Sequence, residues 1–174
     1  MGHADKSEFL PVNIAVLTVS DTRTPDDDRS GDILVERLEG VGHTLAARAI
    51  VKDDQDLIAA KIKEFATDPG IEVIITTGGT GLTGRDVTPE ALAQIADKDI
   101  PGFGELFRMI SYDKIKTSTI QSRACAAVVA GTYVFALPGS PGACKDAWDD
   151  ILVHQLDIRF KPCNFVEMMP RLKE

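Results

Sequence analysis

A short β-branched run, a glycine-rich loop and a helix start follow one another directly between residues 71 and 92, and that order restricts the fold more than any other feature. Ile71–Ile75 (Ile-Glu-Val-Ile-Ile) reads as a buried strand, and residues 76–90 continue as Thr-Thr-Gly-Gly-Thr-Gly-Leu-Thr-Gly-Arg-Asp-Val-Thr-Pro-Glu. Pro89-Glu90-Ala91-Leu92 then reads as a helix start, with Thr88 as N-cap and Pro89 at the first helical position. Strand, glycine loop and helix in this order turn backbone amides and a helix N-terminus toward an anion. Four glycines in seven residues (Gly78, Gly79, Gly81, Gly84) let the chain approach a ligand that a Cβ would hold off. Asp86 is the one acid in that loop. A carboxylate beside a phosphate cradle is repulsive unless Mg²⁺ lies between them, so the stretch points to a nucleotide or phosphate site.

The remaining pattern alternates strand and helix. Ile14–Val19 is a continuous apolar run, hence a central strand, and Ser20-Asp21-Thr22-Arg23 follows at its C-terminal end. After a polar, acidic loop at Pro25–Arg29, Ser30 is expected to cap a helix running to about Leu38 and ended by Gly40 and Gly42. Thr44–Val51 is a second strand; Asp53 and Asp54 follow it, and Asp54 suits the cap of a helix carrying Leu57, Ile58, Ile62 and Phe65 at helical spacing. Beyond the glycine loop a helix reaches about Ala96, Ile100-Pro101-Gly102 breaks it, and Phe103, Leu106, Phe107 and Ile110 mark another. Ala124–Val129 and Thr132–Leu137 read as a hairpin turning on Ala130-Gly131. Pro138-Gly139-Ser140-Pro141-Gly142 opens a last helix to roughly Leu156. The fold class is α/β: a mainly parallel sheet with helices on both faces and one antiparallel element near the end. At 174 residues one domain is expected, residues 10–170, after a short N-terminal extension, 1–9.

Composition excludes several functions. A net charge of −8 argues against nucleic acid as a partner. An anionic substrate must then be met by helix ends, Mg²⁺ and a few placed Arg and Lys residues. Cys125, Cys144 and Cys163 are odd in number and widely spaced, which gives neither a disulfide framework nor a zinc site, and they are expected to be mostly buried or inert. His3, His43 and His154 show no ligand spacing. Met1–Phe9 lacks an apolar targeting core and no window approaches a membrane span, so a cytoplasmic protein without a membrane partner is expected.

In an open parallel sheet, ligands bind outside the carboxyl ends of the strands. Strand one ends in Ser20-Asp21, strand two leads to Asp53, strand three to Thr77–Asp86, and the last strand to Pro138–Gly142. Four polar or glycine-rich loops therefore meet at one edge. Each has a plainer reading. Glycines after a strand can be tight turns, Asp53 and Asp54 a cap pair, Asp86 a loop acid, and Ser140-Pro141 a helix cap and first position. Arg123 and Lys145 can be solvated charges, and Asp26-Asp27-Asp28 a solvated acidic loop.

Thr-Gly-Gly-Thr-Gly (77–81), Asp86, Pro-Gly-Phe-Gly-Glu (101–105), Ser122-Arg123 and Leu-Pro-Gly-Ser (137–140) stand in the order and spacing of the MoaB/MogA family of molybdenum-cofactor biosynthesis proteins, which the chain resembles from about Ile14 to Asn164. Glu-Phe-Leu-Pro near the start, Phe-Arg-Met-Ile-Ser and Lys-Pro-Cys-Asn-Phe (161–165) resemble the MoaB branch in particular. The resemblance implies a three-layer α/β/α domain that assembles as a homo-trimer or hexamer and binds molybdopterin, a pterin dithiolene with a terminal phosphate. It further implies Mg-ATP-dependent adenylylation of that phosphate with release of pyrophosphate, in company with other molybdenum-cofactor biosynthesis proteins. Its two catalytic aspartates fall on Asp53 and Asp86, which would hold Mg²⁺ and orient the attacking phosphate. Thr77, Gly78, Gly79, Thr80 and Gly81 would bind phosphate oxygens, and Pro138, Gly139 and Ser140 another anionic or pterin group. Ser20, Asp21, Ser122, Arg123 and Lys145 are further candidates. Two positions depart from the pattern: Lys52 stands where many active members have Pro, which leaves Asp54 as an alternative to Asp53, and Gly142 stands where they often carry Lys. A non-catalytic molybdopterin carrier of the same fold is the competing reading. A dinucleotide-binding oxidoreductase is disfavoured, because no Gly-x-Gly-x-x-Gly follows the first strand.

Overall fold

A computed structural model describes residues 8–174. The first seven residues of the expected N-terminal extension, His3 among them, lie outside the described residues.

The elements follow in the order β1 (Asn13–Val19), α1 (Arg29–Gly40), β2 (Thr44–Val51), α2 (Gln55–Thr67), β3 (Val73–Thr77), α3 (Thr88–Ile95), β4 (Lys98–Asp99), α4 (Pro101–Ile115), β5 (Cys125–Val129), β6 (Thr132–Leu137) and α5 (Pro141–Ala147). The last of these continues through a π-helical stretch (Trp148–Leu152) into α6 (Val153–Gln155), and α7 (Phe165–Met168) lies near the end. The six strands form one sheet in the order β2-β1-β3-β6-β5-β4. β2, β1, β3 and β6 run parallel, and β5 is antiparallel to both β6 and β4.

Strict period two in the central strands divides the core into two layers. Ile14, Val16, Val73, Ile75, Phe135 and Leu137 face α1, α4 and the α5–α6 helix, where Leu34, Phe103, Phe107 and Trp148 pack. Ala15, Leu17, Ile74, Val134 and Ala136 face α2 and α3, where Ile58, Ile62, Phe65 and Leu92 pack. This is the three-layer α/β/α arrangement. The hairpin at Ala130-Gly131 is present, with both residues at positive φ.

Several local expectations change. The third strand begins two residues later than the apolar run, because Ile71 N–H bonds back to Asp68 in the preceding turn. The short β4 strand, the 3₁₀ segment Lys116–Gln121 and α7 had no sequence signal. The cap of α1 is Asp28, not Ser30: its Oδ1 accepts from Gly31 N–H at 3.1 Å. Thr88 is the first residue of α3 and does not cap it; its hydroxyl donates to the Gly78 carbonyl at 2.9 Å, so it fastens the glycine loop to the helix. Of the cysteines, Cys144 is buried and Cys125 half-buried, and burial pushes both thiols up to about 11, whereas Cys163 is exposed.

Candidate functional site

The loops after β1, β2, β3 and β6 close around a cavity of about 500 Å³ at the carboxyl edge of the sheet. β3 sits between β1 and β6, so its glycine loop occupies the middle. Gly78 has φ +108° and a Cβ there would lie 2.1 Å from the Val19 carbonyl oxygen, so only glycine fits between β1 and β3. Its N–H donates to the Leu137 carbonyl at 3.0 Å, which ties the loop to β6 and removes that amide from the ligand-binding set. The amides of Gly79, Thr80 and Gly81 take no backbone acceptor among the described residues.

Asp53 and Asp54 separate cleanly. Asp54 Oδ1 accepts from Leu57 N–H at 3.0 Å and caps α2. Asp53 lines the cavity, and its Oδ1 would be 3.3 Å from a Cβ built on Gly79. Asp86 lines the same cavity. Its Oδ2 accepts from Thr83 N–H at 2.9 Å and from the Thr83 hydroxyl at 2.8 Å, so one oxygen shapes the loop and the other is left for a ligand. Partial burial, then the negative charge of Asp21 and, more weakly, of Asp86, push the Asp53 carboxyl above its ordinary range. Carboxylates crowded in this way are chemistry that a cation relieves. Among the described residues no group of three or more His, Cys, Asp or Glu side chains could hold a metal ion. Mg²⁺ needs no such cage: one or two carboxylates with substrate phosphates and water complete its octahedron, and Asp53 with Asp86 fit that demand.

Other candidates divide into those that line the cavity and those that brace it. Ser20, Thr77, Gly78, Gly79, Thr80, Gly81, Ser122, Pro138, Gly139 and Ser140 all line it. Ser140 caps α5 through Ala143 N–H at 3.2 Å. Asp21 and Arg123 do not line it, contrary to the expectation of ligand contact. Asp21 Oδ2 pairs with Arg85 at 2.6 Å, which holds the Asp21 carboxyl below its usual range, and its Oδ1 accepts from Asp53 N–H at 3.2 Å. Arg123 donates to the Gly81 carbonyl at 2.8 Å and the Asp86 carbonyl at 2.7 Å while paired with Glu90, so it braces the glycine loop from outside. Lys145 is exposed and does not line the cavity.

Thr18, Val19, Arg23, Asp28, Ser30 and Gln121 complete the lining and were not anticipated as site residues. Asp28 corrects the reading of residues 26–28 as a solvated run: it is 1% exposed. Its Oδ2 accepts from the Thr18 hydroxyl at 2.7 Å and from Arg48 at 3.0 Å, and Arg48 also reaches Asp32 at 2.7 Å. Ser30, in the first turn of α1, donates to the Gly139 carbonyl at 2.8 Å and so joins that helix to the loop after β6. Thr18 alone had a sequence signal, as the last polar residue of an apolar strand pointing to the ligand edge. Arg23 is the one cation among the lining residues.

The family profile described as a probable molybdopterin binding domain matches residues 15–158. Molybdenum cofactor biosynthesis protein B of Escherichia coli K12 is 46% identical over 168 residues, 97% of each chain. A crystal structure of a molybdenum cofactor biosynthesis protein B superposes with a TM-score of 0.85 at 38% identity, covering 94% of this chain and 96% of the other. The tungsten cofactor synthesizing protein MoaB from Pyrococcus furiosus superposes with a TM-score of 0.76 at 32% identity, covering 94% and 98%. On a match that spans the sheet and every loop around the cavity, the chain belongs to the MoaB/MogA family of molybdenum cofactor biosynthesis proteins.

Proposed function

We propose that the protein adenylylates the terminal phosphate of molybdopterin with Mg-ATP and releases pyrophosphate. The observation that carries this reading is the pair Asp53 and Asp86 on one cavity with the glycine-loop amides, Asp53 lying against Gly79. A pure anion-binding cavity gains nothing from two carboxylates. A nucleotidyl-transfer site does, because its problem is positioning and charge neutralisation.

A phosphate monoester near neutral pH already carries most of its second charge, so the nucleophile needs no base. One of its oxygens bonds to the α-phosphorus of ATP. The bond from that phosphorus to the bridging oxygen of the β-phosphate breaks, and pyrophosphate leaves with the electron pair. Amides of Gly79, Thr80 and Gly81 hold phosphate oxygens as charge redistributes. Gly139 and Ser140, in the loop after β6, line the same cavity and receive the pterin side. Asp53 and Asp86 would hold Mg²⁺, which when bound neutralises phosphate charge between them.

The test is incubation of the purified protein with molybdopterin and Mg-ATP, followed by detection of adenylylated molybdopterin and pyrophosphate. Asp53→Asn and Asp86→Asn each lower turnover by about 10²-fold or more. Asp54→Ala loses roughly 1 kcal/mol of helix capping and keeps its turnover. Tight molybdopterin binding without product would make the protein a carrier instead. The assembly is a homo-trimer or hexamer of this chain. An exposed apolar stripe at three-residue spacing on α4 supports it: Leu106, Met109, Tyr112 and Ile115, with Ile120 just beyond. Sedimentation of the intact protein as a monomer would refute it.

A further inference from the structure

Three polar side chains from three different elements converge on the loop after β6. Ser30 of α1, Thr77 at the end of β3 and Cys144 of α5 are all buried. Buried polar groups need partners, and these find theirs on two consecutive peptide groups. The Ser30 hydroxyl donates to the Gly139 carbonyl at 2.8 Å, and the Thr77 hydroxyl donates to the Pro138 carbonyl at 2.9 Å. The Cys144 thiol lies 3.1 Å from Thr77 Oγ1 and donates to the same Pro138 oxygen at 3.5 Å. Burial keeps that thiol protonated, so it remains a donor.

A trans peptide sets its carbonyl and the following N–H on opposite sides of one plane, and both of these peptides are trans. With the Pro138 and Gly139 oxygens held by Thr77, Cys144 and Ser30, the N–H groups of Gly139 and Ser140 face away from those side chains. Neither amide takes a backbone acceptor among the described residues, and both residues are exposed and line the cavity. Gly139 also packs on the glycine loop, where a Cβ built on it would lie 3.3 Å from Gly78 Cα. Turned the other way, the two peptides would present carbonyl oxygens to an anionic substrate, which is repulsive. We infer that Ser30, Thr77 and Cys144 are positioning residues for molybdopterin: by holding two carbonyls back, they keep the Gly139 and Ser140 amides available to acceptor atoms of its pterin side. The inference rests on the reading that Gly139 and Ser140 receive that side.

The experiment measures equilibrium binding of molybdopterin to the intact protein, without ATP. Ser30→Ala and Thr77→Val each weaken it about three- to tenfold, the effect of one oriented hydrogen bond. Thr77→Ser keeps the hydroxyl and stays within about twofold of the parent. Thr132→Val is the control: it removes a similarly buried hydroxyl, which donates to the Ala66 carbonyl at 3.3 Å away from the cavity, and it leaves binding unchanged. In the free protein, the carbonyl-carbon NMR resonance of Gly139 moves in Ser30→Ala and that of Pro138 moves in Thr77→Val. A side chain that only touched the ligand would move neither. Binding within about twofold of the parent in both Ser30→Ala and Thr77→Val overturns the inference. So does an equal loss in Thr132→Val, or a pair of carbonyl resonances that stay in place. Adenylyl transfer fails separately. Binding that responds to these variants, with no adenylylated product, removes the transfer only; product formed while binding ignores them removes the positioning role only.

Discussion

Replacing Asp28 by Asn changes a charge and almost nothing of shape, which makes it a clean probe of the network under the cavity. Asp28 is 1% exposed, and three donors converge on it: Gly31 N–H on Oδ1, and the Thr18 hydroxyl and Arg48 guanidinium on Oδ2. Asparagine keeps one oxygen for the α1 cap and turns its NH₂ toward the other two. The Thr18 hydroxyl can rotate and accept; the guanidinium cannot. The full penalty for breaking a buried ion pair, about 3–5 kcal/mol, does not apply. The Arg48 side chain is 28% exposed and keeps Asp32 at 2.7 Å. What is lost is one charge-assisted hydrogen bond, about 2 kcal/mol. For a chain of this size that lowers Tm by roughly 4–8 °C. Calorimetry and urea unfolding measure it. Asp32→Asn is the comparison: its side chain is 58% exposed, and it moves stability by less than about 0.5 kcal/mol. In an Arg48→Gln background the effect of Asp28→Asn shrinks by about 1 kcal/mol or more, because the lost partner is already gone. Because α1 also holds Gly139 through Ser30, the variant binds molybdopterin more weakly. A Tm within about 1 °C of the parent, with no coupling to Arg48, would show that the network is slack and refute the reasoning.

Gly79→Ala places a methyl 2.4 Å from the Thr88 hydroxyl oxygen at φ +69°, so it loses about 1–2 kcal/mol to backbone strain and displaces the loop from Asp53, whereas Gly84→Ala meets nothing within 4 Å and is neutral in melting and turnover. Burial lowers the pKa of His43 below its ordinary 6.5, and its Nδ1 accepts from Val12 N–H at 3.0 Å. The unfolded chain therefore takes up a proton that the folded one resists. Stability is full above pH 6.5 and falls as pH drops from there toward the lowered folded value; a pH series of melts shows this slope, and its persistence unchanged in His43→Gln would assign it elsewhere.

Much of the frame was legible because its causes are local. The β2 and β6 boundaries, the Ala130-Gly131 hairpin and the caps at Asp54 and Ser140 each follow from a run of β-branched residues, a turn pair or a side chain three residues from its amide. The residues misread were those whose partners lie far along the chain. Asp28 looked like one of three solvated acids until Arg48, twenty positions on, and Thr18 came to it. Thr88 had the composition of an N-cap, but Gly78 returned close enough for its carbonyl to take the hydroxyl. Asp21 and Arg123 sit next to cavity residues in sequence, yet ion pairs with Arg85 and Glu90 hold them outside as braces.

The main alternation of strands and helices (the short β4 and α7 apart), the parallel sheet and the edge where the loops gather belong to the sequence alone, because hydrophobic period, turn chemistry and the handedness of crossovers act over short stretches. Whether Asp53 or Asp54 faces the cavity, and which loop amides take no backbone acceptor, were decided by tertiary structure. Those properties depend on distances between loops after β1, β2, β3 and β6, and only the assembled sheet sets such distances.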